Sequence, residues 1–214
     1  MGVLIKDDIL KYIENGEISF SPQLDKFQLQ MHSVDLRIGM TFLVPKPWRM
    51  TDKGREAIAV DHLEGSREHF EVLELEEGQY FELLPNEFVI ISTLETITMP
   101  QNLMGILYPR SSVNRQGLSI DLSGIIDAGY KGTLIIPVRN NMPSQVIRIY
   151  PGERFCQIVF HTLNEKVDVS LSRYHEKDIS QGVMKEKDAI ETKLIKKGKL
   201  TELKRDYTIK TKKK

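Results

Sequence analysis

The chain has 214 residues, with 30 Lys+Arg against 30 Asp+Glu, so its formal net charge is zero and bulk charge gives it no hold on nucleic acid or an anionic membrane. Its length suggests one main domain with appendages, and 40% hydrophobic with 28% charged residues is ordinary for a chain with a sizeable core. No apolar run nears the roughly 18 residues of a membrane span. The opening MGVLIKDDIL lacks the apolar stretch and cleavage site of a secretory signal. The single cysteine, Cys156, excludes an internal disulfide and a Cys-rich zinc site, and a cytoplasmic setting is expected. The histidines (His32, His62, His69, His161, His175) show no paired ligand spacing, so no metal held directly by protein side chains is expected.

In chain order, Ile5, Ile9 and Ile13 recur at helical spacing with Leu10 beside them. Asp7 and Asp8 suit a helix N-terminus, and Asn15-Gly16 is a stop signal. From residue 17 to about 170 the pattern turns to short β-rich runs. Strands are predicted at Ser33–Ile38, Thr41–Val44, Glu71–Glu74, Tyr80–Leu83, Phe88–Thr93, Leu103–Tyr108, Leu118–Asp121, Gly132–Val138, Val146–Ile149 and Cys156–Thr162. Turn residues such as Pro85-Asn86, Ala128-Gly129 and Pro151-Gly152 punctuate them. Many short strands without strand–helix alternation indicate an all-β barrel or sandwich. Residues 49–70 are polar and read as an exposed, irregular insertion. Residues 184–214 hold 12 Lys/Arg and 5 Asp/Glu, a net of +7, and predict a short helix around Ala189–Ile195 followed by a strand or tail. A solvated face is the ordinary reading of such a run, and closure over a polyphosphate the sharper one.

Three polar clusters interrupt the apolar runs. In Ser33-Val34-Asp35-Leu36-Arg37, strand alternation sets Asp35 and Arg37 on one face, as in a structural ion pair. In the run from Tyr108 to Arg115, Arg110 offers a planar fork of donors, and Ser111 and Ser112 add hydroxyl and backbone donors suited to a phosphate; a capped turn is the plainer alternative. In the run from Gly124 to Gly132, Asp127 stands between an apolar strand and a glycine turn, where a turn former is the plainer alternative to a base. Tyr130, three residues on, has the face to stack on a sugar or base.

The runs HSVDLRIG, PNEFVIISTLETITMPQNLMGILYPRSSVNRQGL, GIIDAGYKGTLIIPVRN and YPGERFCQIVF, in that order and after an opening helix, resemble the deoxycytidine triphosphate deaminase branch of the dUTPase-like superfamily. The likeness covers about residues 1–175 and leaves 176–214 as a basic tail, closing over the site or packing on a neighbouring subunit. It implies an all-β fold, a distorted β-barrel or jelly-roll. It also implies a homotrimer with sites shared between subunits, and a deoxynucleoside triphosphate ligand carrying Mg²⁺.

The superfamily runs two chemistries. Deamination at C4 of cytosine needs an acid–base group, which the deaminase branch supplies as a glutamate ten residues after the aspartate. Here that place holds Pro137, which has no titratable group, and none of the nearest carboxylates, Asp121, Asp127 and Glu153, matches the role. Hydrolysis of dUTP to dUMP and pyrophosphate needs a carboxylate at the α-phosphorus and donors on the phosphates. The diphosphatase pattern matches Arg110, Ser111, Gly124, Ile125, Ile126, Asp127 and Tyr130. The resemblance therefore implies a dUTP diphosphatase with Asp127 as water activator and Tyr130 on the deoxyribose. Arg110, Ser111, Ser112 and Gln157 would hold phosphates, and main-chain groups including those of Gly124 and Ile126 would read the base. Asp35 would support a metal-bound water. Arg115 and Gln181 are deaminase-like binding residues. A dCTP deaminase, alone or also forming dUMP, is the alternative reading. A nucleotide-binding homologue without turnover is the third, favoured by the missing glycine-rich C-terminal clamp.

Overall fold

The computed structural model describes residues 2–61, 63, 69–121, 124–168 and 189–209. Helix α1 (Lys6–Glu14) carries Asp7 and Asp8 in its first turn and is stopped by Gly16 at φ +72°, a left-handed geometry that glycine adopts without a side-chain clash. Ile9 is buried, Ile13 packs at the core's edge and Ile5 is exposed, so the buried stripe is narrower than the isoleucine spacing suggests.

The strands follow as β1 (Ser19–Ser21), β2 (Val34–Pro45), β3 (Trp48–Thr51), β4 (Gly54–Ala57), β5 (Phe70–Glu74), β6 (Phe81–Leu83), β7 (Phe88–Thr98) and β8 (Leu103–Pro109). A short helix α2 (Ser111–Arg115) leads to β9 (Leu118–Ile120), β10 (Ile125–Ile126), β11 (Lys131–Asn140), β12 (Ile147–Ile149) and β13 (Arg154–Thr162). Two helices, α3 (Ala189–Lys196) and α4 (Leu200–Asp206), lie beyond them.

The main sheet runs β10-β8-β13-β2-β7-β11-β9, with β1 added on β7 and β5 on β2. Its two terminal strands are near neighbours in the chain, because only residues 121–124 separate β9 from β10. Five Cα steps reach at most about 18 Å, whereas seven flat strands would spread over roughly 29 Å. The sheet must curl, and both ends of the linking segment are tied in. The Asp121 N–H donates to the Pro137 carbonyl at 2.9 Å, and the Leu107 N–H donates to the Gly124 carbonyl at 2.7 Å. The fold is thus all-β, a curled half-barrel filled by residues such as Phe42, Ile91, Phe155 and Phe160.

Proline also sets a strand end. The Pro137 carbonyl points toward β9, so its ring nitrogen faces the same neighbour and has no proton to give to Asp121. The ladder stops at Ile120.

Several elements differ from the sequence reading: β1 is not among the predicted strands, and β7 runs on to Thr98 past the expected end at Thr93. Residues 34–45 form one strand rather than two; at Gly39 the register to β7 shifts between Ile38 and Phe42, so the strand bends without ending. The 49–70 insertion contains a hairpin, β3–β4, with Arg49 paired to Glu56 at 3.2 Å. After α3 comes a second helix rather than a strand or tail. α3 is anchored to the insertion by a Lys196–Asp61 ion pair at 3.0 Å. No helix among the described residues is long and apolar enough to cross a membrane.

Candidate functional site

Strand register gathers one cluster. Gln157 of β13 lies opposite Asp35 on β2 and opposite Tyr108 on β8, so the end of β8 delivers Arg110 beside Asp35. The Arg110 N–H donates to the Phe155 carbonyl at 3.0 Å, pinning the backbone just before α2. Asp35 is only 2% exposed and holds two guanidinium groups on one oxygen, Oδ2: Arg110 Nε at 3.0 Å and Arg154 Nη1 at 3.1 Å. Arg110 Nη1 also donates to the Arg154 carbonyl at 3.0 Å. Two of the five donors of Arg110 are thus spent on fixing its fork.

Burial pushes the Asp35 carboxyl above its ordinary range, and the charges of Arg110 and Arg154 pull it back only in part. Beneath it, Gln28 Nε2 donates to the Asp35 carbonyl at 3.0 Å and to Glu95 Oε1 at 2.6 Å, and Glu95 Oε2 accepts from the Arg37 N–H at 3.0 Å. Burial raises the Glu95 carboxyl too. Arg37 turns its guanidinium to Asp25 at 2.6 Å instead, so the ion pair read from strand alternation, Asp35 with Arg37, is replaced by two separate pairings.

Over this network lies a cavity of about 290 Å³, lined by Asp35, Arg110, Ser111, Ser112, Gln157 and the 30–33 segment. The Ser33 hydroxyl donates to Gln157 Oε1 at 3.0 Å, which leaves the Gln157 amide N–H₂ oriented as a donor. Guanidinium, hydroxyl and amide donors around one small cavity suit an anion such as a phosphate. Arg154 and the segment just before Ser33 were missed in the sequence. Their membership depends on register between strands more than 100 residues apart, which no local pattern encodes.

The remaining expected residues lie elsewhere in the chain. Arg115 is exposed at the end of α2. Ile126 is buried on β10, Gly124 has φ +88°, and Asp127 is exposed just past β10. Tyr130 is buried, its hydroxyl donates to the Thr133 carbonyl at 2.6 Å, and burial pushes that phenol up to about 12. Gln181 lies outside the described residues. Pairing of Ile126 with Gly105 sets Asp127 beside the Met104 end of β8, six residues from Arg110. At about 3.4 Å per residue the Cα atoms of Arg110 and Asp127 stand roughly 20 Å apart. Among the described residues no group of three His, Cys, Asp or Glu side chains is placed to hold a metal.

A family profile described as dCTP deaminase-like matches residues 3–163. The chain belongs to the dCTP deaminase-like family. A dCTP deaminase, dUMP-forming, from Dictyoglomus thermophilum is 34% identical over 180 residues, 81% of this chain and 89% of that protein. One of the same name from Sulfurihydrogenibium sp. is 36% identical over 164 residues, 77% and 86% of the two chains. The crystal structure of 2'-deoxycytidine 5'-triphosphate deaminase from Agrobacterium tumefaciens superposes with a TM-score of 0.59 at 20% identity, over 75% of this chain and 49% of that one, and supports the fold.

These relatives correct one expectation. Plain dUTP hydrolysis, drawn from the Arg110–Tyr130 pattern and from Pro137, gives way to the dUMP-forming deaminase alternative, because that is the activity for which the family relatives are named. The pattern misled for a chemical reason. The roles expected of its residues concern phosphate, sugar and the α-phosphorus, which dUMP formation from dCTP and from dUTP would share, and so it says little about what happens at the base.

Proposed function

We propose that this dCTP deaminase-like chain converts dCTP to dUMP, releasing ammonia and pyrophosphate at the cost of two waters. The observation that carries the reading is the donor cluster around one cavity, with Arg110 fixed by the buried Asp35, in a chain of this family. Arg110, Ser111, Ser112 and Gln157 bind the triphosphate, and Arg115 adds charge at the rim. Main-chain groups at Gly124 and Ile126 read the pyrimidine edge. Asp127 orients the water that attacks the α-phosphorus, and Tyr130 backs the deoxyribose. Gln181 closes from the tail.

The separation of roughly 20 Å between Arg110 and Asp127 along β8 supports a site completed by a second copy, as in a homotrimer. Asp35 is committed to two arginines, so Mg²⁺ fits as a passenger on the triphosphate rather than as a protein-held ion. When bound there it neutralises phosphate charge.

Incubation with dCTP, dUTP and dTTP plus Mg²⁺ tests the reading. Ammonia and pyrophosphate from dCTP are expected; pyrophosphate from dUTP with no ammonia from dCTP refutes it. A second reading, a nucleotide-binding homologue without turnover, gains from Pro137, which removes the expected acid–base group, and predicts saturable dCTP binding with no product.

A further inference from the structure

The ladder between β9 and β11 pairs Ile120 with Val138 and Ser119 with Arg139, so its next step sets Asp121 directly opposite Pro137. The 2.9 Å bond from the Asp121 N–H to the Pro137 carbonyl fixes that step. Directly opposed residues of an antiparallel pair send their side chains to one face, with Cβ atoms about 4.5–5.5 Å apart. On β11 the even-numbered residues 132–140 are buried, so this face is the outer one. There Pro137 is also paired with Ile90 of β7, which packs with Ile135 and Phe88. Asp121 therefore stands as an exposed carboxylate on the face it shares with Pro137, Ile135 and Arg139, whose guanidinium lies over the Phe88 ring at 5.9 Å. The Ser119 hydroxyl donates to its Oδ1 at 3.0 Å and steadies it. It also opens the segment that joins the sheet's two edges, three residues before Gly124.

The geometry points to Asp121 as the acid–base group for the base half of the reaction, supplied across the strand pair where position 137 offers none. This rests on the dCTP reading above. The carboxylate takes a proton from water and passes it to ring N3 as the C4–O bond forms. It then moves the remaining hydroxyl proton to the amino nitrogen. The C4–N bond breaks, its electron pair leaves with nitrogen as ammonia, C4 becomes a carbonyl, and Asp121 ends as it began.

Asp121→Asn is the test, read by ammonia release from dCTP and by calorimetric dCTP binding. The exposed, isosteric change leaves the fold in place. Ammonia release is expected to fall at least about 100-fold, the ordinary worth of a positioned general base. Binding should stay within about threefold, since the role lies in the transition state. A rate within threefold of wild type overturns the assignment and leaves the dCTP reading standing. Loss of rate together with loss of binding overturns it as well, by showing a structural role. No ammonia from the unsubstituted protein overturns the dCTP reading itself, and that arm contains no substitution.

Discussion

Replacing Asp35 by asparagine separates what its carboxylate does for folding from what it does for the ligand. Two guanidinium groups sit at 3.0 and 3.1 Å from Oδ2. At an effective dielectric of about 20, each charge pair at roughly 4 Å between centres gains about 4 kcal/mol. Removing a carboxylate from water costs several kcal/mol, and two arginines give up part of their own hydration in the same place. The sums nearly cancel, and the raised Asp35 carboxyl shows which side prevails: desolvation is the larger. The asparagine side chain is isosteric and still accepts from one guanidinium, so stability should change by no more than about 1 kcal/mol, or roughly 2–4 °C in Tm for a chain of this size. The sign with pH follows. A carboxyl raised in the folded state contributes most below its ordinary value of 3.8 and loses that contribution as pH rises through the raised value, so wild-type stability minus that of the variant should decline over that window. Ligand binding responds differently. Arg110 loses a charge-assisted anchor worth about 1.5–3 kcal/mol, and its fork no longer waits in place. Affinity for dCTP should drop about 10- to 100-fold while affinity for deoxycytidine, which lacks phosphates, stays put. Urea titration and calorimetry measure the two quantities. A stability loss above about 3 kcal/mol, the cost of breaking a buried pair, with unchanged triphosphate affinity would falsify the argument.

Other expectations follow from single contacts. Asn140 is fully buried; its amide donates to the carbonyls of Leu83 and Gln145 at 2.9 and 2.8 Å and its oxygen accepts from the Met142 N–H at 2.8 Å. Asn140→Ala strands these groups and should cost about 3 kcal/mol or more, seen as a lower urea midpoint at constant m. Gly39→Ala would set a Cβ 2.9 Å from the Thr93 carbonyl and against the Ser92 hydroxyl, and should destabilise by about 1–3 kcal/mol in thermal unfolding. Asp127→Asn should abolish pyrophosphate release and leave nucleotide affinity near wild type in equilibrium binding; near-normal release removes Asp127 from its role.

Much of the fold was legible because apolar runs and turn residues are local signals. The strand expected at Gly132–Val138 is seen at Lys131–Asn140, and that at Leu103–Tyr108 at Leu103–Pro109. The failures have physical causes. Gly39-Met40 reads as a break, but glycine at a bulge lets β2 bend and continue. Trp48–Ala57 is too polar to signal a strand, yet a two-stranded hairpin can stand outside the core, with Arg55 over the Trp48 ring at 4.5 Å. The site was legible only in part. Arg110, Ser111 and Ser112 are contiguous, so their chemistry shows in the sequence. Arg154 joins the cluster through register, and register is a property of the folded sheet.

The rigidity of β8 makes the proposed shared site testable without a ligand-bound structure. One end of the strand fixes Arg110 against Phe155 and Asp35; the other pairs with β10 and carries Asp127 past Met104. A hydrogen-bonded strand flanked on both sides cannot shorten, so the separation of roughly 20 Å is a constraint on any chemistry that needs both groups on one nucleotide. A head-to-tail ring meets it if each interface joins one end of β8 in one copy to the opposite end in the next. Arg110→Ala and Asp127→Asn proteins should then each be inactive as pure assemblies. Unfolded together and refolded as an equal mixture, they should regain activity, because about a quarter of the interfaces in a random cyclic oligomer pair an intact arginine with an intact aspartate. Recovery approaching about 25% of wild type is the expected result. Mixed assemblies that form, shown by co-purification of two differently tagged variants, yet stay inactive would place both groups in the same copy and refute the shared site.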